Sequence, residues 1–565
     1  MLVAAIATLF MNHFSPRQAA RFLVEKGVSN FCIDILGPAT PSMHHGAEEL
    51  QRYLLQISGA RLPIIEGPIA GSAIVLKADP TFGSEEYRIH STSRGLEIGG
   101  GALRGVMYGC YGLLQDVYGV RWYTSRISRV PKSASLIVPD LDMRQRPAFE
   151  YREPYFTEAF DRDWAVRNRV NGNSQHLDAA VGGKISYGRF VHTFNELVPP
   201  DEYFDKHPEY FSMINGKRMK GYYQLCLTNP DVLKIAIAKV EKWIKENPDA
   251  TIFSVSQNDT YGYCQCDQCR KVEVEEGAPS GPLIRFVNSV AAAIEKDHPN
   301  VLIDTLAYQW SEKPPLHVRP RKNVRIRIAP IGACFSHPLD GCAENAQPYK
   351  NLEDWSKITN NIYIWHYTTN FANYLQPLPN LDEIAGDARV FQSHGVVGFF
   401  DEGDYSPGGG GDFAELKSYL LARLMWNPNL DSKVIIQEYL DGVYGKAAPY
   451  LASWIDLTHR AGREGKAHAR IYDQPNAPYL GDEVLSNGDK LFDEAEAAVK
   501  SDPVSLDQVQ RARLWLEYVQ LKRAKWGSPE FHDLAKRVAD KLRKYGIGQV
   551  SEGGETSAFL KQIGQ

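Results

Sequence analysis

Asp401 and Glu402 stand side by side immediately after the apolar run Gly395-Val396-Val397-Gly398-Phe399-Phe400. Neighbours in a regular strand face opposite ways, so both carboxylates enter one pocket only where the strand ends or bulges, which Gly403 permits. Two carboxylates held close push their pKa values apart and leave one protonated as an acid. The plainer alternative is a cap or surface pair ahead of the helix that begins near Phe413. Asp259 is a further carboxylate, with Asn258 before it, behind the strand-like stretch 251–257; it reads equally as an Asx-turn in a Thr-Tyr-Gly loop. Aromatics sit at other strand ends: Tyr308 and Trp310, then Trp365, His366 and Tyr367. Carboxylates and rings at strand mouths suit glycoside cleavage, in which one acid protonates the leaving oxygen, a second group stabilises the oxocarbenium-like centre, and rings stack on the sugar. His192 and His366 are single histidines that suit either a sugar hydroxyl or a hydrogen-bonded core position. No G-x-S-x-G, H-E-x-x-H, Walker A or dinucleotide fingerprint is present.

Cys264, Cys266 and Cys269 cluster in Tyr-Cys-Gln-Cys-Asp-Gln-Cys. The C-x-x-C spacing is zinc-like, but a tetrahedral site needs four ligands, and no second such pair lies nearby in sequence. One disulfide plus a thiol, or simple packing, are the alternatives, and the loop is expected to be structural and free of catalytic metal. No metal or cofactor is expected at the reacting centre.

Elements must carry these side chains to one place. From about residue 146 the pattern alternates strands with helix-sized spacers. The predicted strands are 149–156, 172–177, 223–228, 251–257, 301–310, 324–330, 362–367 and 396–401, with helices at 231–246, 283–296, 381–394 and 413–426. Eight strands with intervening helices predict an α/β fold, a (β/α)8 TIM barrel over 141–430 whose reactive groups lie at the strand C-termini. A small α/β domain over 1–140 precedes it, with helices at 47–57 and 102–117, and a helical region over 431–565 follows. The four glycines at 408–411, just beyond the last strand, form a loop placed to serve a binding site.

The 565 residues are 43% hydrophobic and 23% charged, which excludes disordered and small disulfide-scaffold classes. A net charge of −5 gives no general field for nucleic acid or anionic membrane. No run approaches the ~20 apolar residues of a membrane span. The 29 Tyr, 23 Phe and 10 Trp suit sugar faces as well as a large core. Residues 1–11 are apolar and read either as a secretory segment or as a first buried element; with a polymeric substrate in view, export to the periplasm or cell surface is expected.

The segments Ala47-Glu48-Glu49-Leu50-Gln51, Ile57-Ser58-Gly59-Ala60, Leu62-Pro63-Ile64 and Gly119-Val120-Arg121-Trp122-Tyr123 resemble the non-catalytic α/β domain that precedes family 20 and family 67 glycoside hydrolase barrels. The barrel resembles glycoside hydrolase family 163, a bacterial domain once of unknown function. The likeness is carried by His192-Thr193-Phe194, by His207-Pro208-Glu209-Tyr210-Phe211 with Asn215-Gly216-Lys217-Arg218, by Leu225-Cys226-Leu227-Thr228-Asn229-Pro230, and by Ser256-Gln257-Asn258-Asp259 with the cysteine loop. This resemblance implies an endo-acting β-N-acetylglucosaminidase on complex N-glycans, retaining by substrate-assisted catalysis, with a glycan or glycoprotein as partner. Glu402 is then expected as acid/base and Asp401 as the group polarising the substrate acetamido N–H. Asp259 is the competing acid, and Asn258, His192, Tyr308, Trp310, Trp365, His366 and Tyr367 are expected at the sugar. A uronic-acid or neutral-sugar glycosidase with separated carboxylates, and a catalytically silent glycan-binding protein, are the alternatives.

Overall fold

A computed structural model describes residues 21–464 and 467–565; the apolar start at 1–11 lies outside the described residues. The described residues form two compact units, one of 21–120 with 130–145, the other of 121–129 with the described residues from 146 to 565.

In the first unit, helix α1 (Pro41–Ser58) lies on a mixed sheet. Its start was hidden from hydrophobic periodicity, which sees a helix only from 47. Thr40 caps it by accepting from Met43 N, and Pro41 fills the first turn, where no N–H is needed. Gly59, at φ 80°, closes it by donating to Leu55 O. The sheet comprises β1 (Cys32–Leu36), β2 (Ile64–Glu66), β3 (Ala73–Ala78), β4 (Tyr87–Ser91), β5 (Gly95–Gly100) and β6 (Asp142–Gln145), in the order β6-β4-β5-β3-β1-β2. Helix α2 (Gly105–Gly112) is buried along its whole length.

The second unit is built on a seven-stranded, wholly parallel sheet: β7 (Tyr151–Tyr155), β8 (Tyr187–Arg189), β9 (Ile252–Ser254), β10 (Leu302–Ala307), β11 (Val324–Ile328), β12 (Ile362–Tyr367) and β13 (Val396–Glu402). The order β7-β13-β12-β11-β10-β9-β8 sets the first strand beside the last, as in a barrel. Six of the eight predicted strands are present; two are corrected. Residues 223–228 form a loop rather than a strand, and the strand before β9 is Tyr187–Arg189. Residues 172–177 are irregular. Asn and Gly are poor strand formers, and here asparagine side chains replace ladder bonds between β7 and β8. Asn171 N donates to Arg152 O at 3.1 Å, Arg152 N to Asn171 Oδ1 at 2.9 Å, and Tyr187 N to Asn173 Oδ1 at 2.9 Å. The eight-stranded expectation therefore becomes seven strands and an asparagine-bridged seam.

Charge as well as apolar bulk fills the interior. Arg327 and Asp304, 1% and 0% exposed, pair at 2.8 Å, and the Arg327 guanidinium lies against the rings of Tyr187, Phe190 and Trp365. Tyr151, Tyr187, Ile252, Tyr363 and Phe400 pack beside it. Helices α3 (Pro230–Glu246), α4 (Asp267–Glu276), α5 (Ser280–Ile294), α6 (Ala346–Ser356), α7 (Ile384–Ser393) and α8 (Ala414–Trp426) surround the sheet. Beyond them run α9 (Ser432–Tyr444), α10 (Ala448–Glu464), α11 (Asp482–Ala498), α12 (Pro503–Arg523) and α13 (Pro529–Tyr545), in the same unit as the sheet. Helices α12 and α13 are separate because Ser528 caps the second, with Pro529 in its first turn. A closing hairpin of β14 (Gln549–Ser551) and β15 (Gly554–Glu555) returns to the loop after β12, where Glu552 N donates to Phe371 O at 2.7 Å and Tyr374 N to Val550 O at 2.9 Å. Among the described residues, no helix is long and apolar enough to cross a membrane.

Candidate active site

A cavity of about 320 Å³ opens at the C-terminal ends of the seven strands. Every strand or the loop after it contributes: Tyr155 from β7, His192 after β8, Asp259 after β9, Tyr308 after β10, Ile331 after β11, Trp365 and Tyr367 from β12, Glu402 from β13. Parallel strands all end on the same face, which is why segments far apart in sequence meet there. Phe190, Phe371, Phe400, Tyr405 and Tyr472 complete aromatic walls, and three carboxylates, Asp259, Glu402 and Glu552, face the space. No Lys or Arg is among these lining residues.

Glu402 is the last residue of β13, with its side chain on the cavity side. Burial pushes its carboxyl up to about 8; the nearby negative charges of Glu552, Asp401 and Asp259 add to this, and the Trp365 indole acts against it. Trp365 Nε1 donates to Glu402 Oε2 at 2.8 Å and so fixes the carboxyl's orientation. At neutral pH the group carries its proton, as a general acid must.

Asp401 stands elsewhere. The strand runs regularly through both residues, so the pair alternates, and Asp401 points into the wall with no exposure. Its oxygens accept from Thr368 Oγ1 and, at 2.9 Å, from His366 Nδ1, while His366 Nε2 lies 3.4 Å from Asp387. Burial lowers the His366 pKa, but hydrogen bonds and charge from Asp387 and Asp401 outweigh it and hold the imidazolium up at about 9. The expectation of two adjacent carboxylates in one pocket is therefore corrected: the second carboxylate facing Glu402's cavity is Asp259, from another strand end. Asp259 Oδ1 accepts from Tyr308 Oη at 3.0 Å and from Gln309 Nε2 at 3.1 Å.

Three of the expected sugar contacts also lie in the wall. His366 is buried between its two aspartates. Asn258 is fully buried, its Nδ2 donating to Tyr223 O at 2.7 Å and to Asn195 Oδ1 at 2.9 Å. Trp310 stacks on Tyr263 with ring centroids 5.2 Å apart, beside the cysteine loop. By contrast, His192, Tyr308, Trp365 and Tyr367 all line the cavity. His192 adopts a left-handed backbone at φ 55°, as does Gln309 at φ 52°. Such conformations cost free energy in non-glycine residues and concentrate at functional sites. Its Nδ1–H donates to Gln257 O at 2.7 Å, and burial lowers its pKa, so the neutral ring keeps Nε2 free to accept.

Glu552 was not foreseen. It lies in a Ser-Glu-Gly-Gly turn some 150 residues beyond β13, and only the hairpin's return to residues 371–374 brings it to the cavity. Burial, then the charge of Asp259, raises its pKa, while a hydrogen bond from Tyr405 acts the other way. Tyr472 likewise comes from a stretch without a sequence signal. The glycines at 408–410 line a different space, with Glu158 and Arg511, and Trp515 Nε1 donates to Gly410 O at 3.0 Å.

In sequence, no curated protein matches this chain. Solved structures resemble it at low identity. A family GH115 4-O-methyl-alpha-glucuronidase, BtGH115A, with specificity for decorated arabinogalactans, is 12% identical over 93% of this chain and 77% of its own, with a TM-score of 0.55. The beta-N-acetylhexosaminidase from Bacteroides fragilis is 13% identical over 78% of this chain and 93% of its own, with a TM-score of 0.43. CpGH89 from Clostridium perfringens, solved with GlcNAc-alpha-1,4-galactose, is 10% identical over 89% and 65%, with a TM-score of 0.47. The first of these shows a shared fold. With more than half of its length, residues 122–456, matching the family model described as a domain of unknown function, DUF4838, the chain belongs to that family.

Proposed function

We propose that this protein is a glycoside hydrolase that cleaves a β-linked N-acetylhexosamine inside a glycan by substrate-assisted catalysis with retention, as its resemblance to family 163 implies. The observation that carries the reading is geometric: Glu402, oriented by the Trp365 indole, shares an aromatic-walled cavity with a second carboxylate, Asp259. Its burial pushes its carboxyl up to about 8, towards the protonated form an acid needs. The absence of Lys and Arg from the lining residues argues against an anionic uronic acid, for which the lining offers no cationic partner. A neutral acetamido sugar meets no such penalty.

In the proposed reaction the substrate's acetamido oxygen attacks C1 as the glycosidic C1–O bond breaks, and Glu402 gives its proton to the leaving oxygen. Asp259, oriented by Tyr308 and Gln309, accepts the acetamido N–H and balances the oxazolinium charge. Glu402, now a carboxylate, takes a proton from the water that opens the ring at C1, which restores the acid and retains configuration. Asp401 supports this through the wall: it anchors His366 in β12, one residue from Trp365, the donor that orients Glu402.

The test is incubation with an N-glycan panel and with acetamido-free analogues, read by mass spectrometry. Cleavage confined to substrates that carry the acetamido group supports the proposal. Cleavage of uronides or acetamido-free sugars moves Asp259 and Glu402 into the roles of separated carboxylates, and binding without turnover makes the protein a glycan-binding one.

A further inference from the structure

The chemistry above leaves the cysteines unused, although all eight are free thiols. We propose that the chain holds two structural zinc ions, one on Cys226, Cys264, Cys266 and Cys269 and one on Cys334, His337, Cys342 and His468. Each clamps a loop that carries a residue of the cavity.

The first site has the fourth ligand that the local spacing lacks. Cys226, in the loop at 223–228, brings its Sγ to 3.6 Å from that of Cys266 and 3.9 Å from that of Cys269, and all four sulfurs lie within 4.8 Å of one another. Zn–S bonds of about 2.3 Å place tetrahedral sulfurs about 3.8 Å apart. Thiolate charge is met by donors: Met213 N lies 3.3 Å and Arg218 Nη1 3.7 Å from Cys264 Sγ, and Thr228 Oγ1 lies 3.2 Å from Cys269 Sγ. The clamp joins the 213–228 loop to the one that begins at Asp259. Between them Gln224 Nε2 donates to Asn258 O at 2.8 Å and to Thr260 O at 2.6 Å.

Independent residues build the second site. His468 Nδ1 lies 3.3 Å from Cys334 Sγ and 3.6 Å from Cys342 Sγ, and His337 Nδ1 lies 3.1 Å from Cys334 Sγ. The four ligand atoms again fall within 4.8 Å of one another. Glu344 Oε1, 3.5 Å from His468 Nε2, is the carboxylate that metal-bound histidines commonly keep on their far nitrogen. Asn345 braces the loop, with Oδ1 accepting from Cys334 N at 2.7 Å and Nδ2 donating to Cys334 O at 3.0 Å. This clamp ties the loop after β11 to the irregular segment 467–471 that leads into Tyr472.

The test is the metal content of the full chain, made in zinc-supplemented medium and desalted without chelator. Two zinc ions per chain are expected, released by a mercurial thiol reagent. Cys226→Ser and Cys342→Ser should each lose one. Cobalt exchanged into wild-type protein should give tetrahedral d–d bands with thiolate charge transfer, weakened by either substitution. If a variant fails to fold, the wild-type protein still decides. Less than half an equivalent of zinc, with thiols that react freely under native conditions, overturns both sites. One equivalent with a four-thiolate cobalt spectrum upholds the first and overturns the second; one with a two-thiolate spectrum does the reverse.

Discussion

The indole Nε1 of Trp365 donates to Oε2 of Glu402 across 2.8 Å, from one strand end to the next. The bond strengthens when Glu402 is ionised, so it opposes the burial that raises the carboxyl's pKa to about 8. The donor thus sets where the acid releases its proton.

The pH dependence follows with a definite sign. The acid acts in its protonated form, so kcat/KM should fall as pH rises through about 8. Trp365→Phe removes a donor to the charged form and should move that limb to higher pH. Glu552→Gln removes a neighbouring negative charge and should move it lower. Profiles on a soluble glycan substrate check both, and shifts of the opposite sign would sink the electrostatic reading.

Glu402→Gln removes the proton source while the pocket keeps its shape. Natural glycans should lose on the order of 10²-fold or more in kcat, and aryl glycosides with good leaving groups much less. Azide should form no inverted glycosyl azide, because no enzyme nucleophile has been removed.

Asp259→Asn should instead slow every substrate by roughly 10²-fold, since the charge opposite the oxazolinium is lost. Tyr308→Phe, which releases one of the two donors on Asp259, should do so more weakly. A leaving-group-dependent loss in Asp259→Asn alone would assign the acid to Asp259 instead.

For Asp401→Asn the expected first effect is on stability, measured by denaturant unfolding. His366 would remain charged in the wall beside Asp387 alone, and breaking a buried pair typically costs about 3–5 kcal/mol. His366 has its pKa raised from its ordinary 6.5 to about 9, so the wild-type contribution should be full below 6.5 and fade as pH rises through about 9. Unfolding curves across that window that differ no more in wild type than in His366→Gln would contradict the pairing.

Arg327→Met should destabilise the fold by a similar amount, about 3–5 kcal/mol, because it strands Asp304 fully buried. The double variant Arg327→Met with Asp304→Asn should recover part of the loss in the same measurement.

Alternation and periodicity in the sequence were enough to locate six of the seven sheet strands and the strand ends that bear Asp259, Tyr308, Trp365 and Glu402, because strand formation is local and parallel strands share one functional face. They were not enough for β8 or the asparagine seam, where side chains replace backbone ladders, nor for the capped starts of α1 and α13. Which of two adjacent residues faces the cavity depended on how far the strand stays regular, so tertiary structure alone sent Glu402 inward and Asp401 into the wall. Asn258 and Trp310 read as sugar contacts in sequence and His366 as either a sugar contact or a core histidine; their partners Tyr223, Tyr263 and Asp387 are named only by packing. Glu552, Cys226 and His468 make the same point: a carboxylate, a thiol and an imidazole carry no local pattern, and only chain folding brings each to the groups it faces.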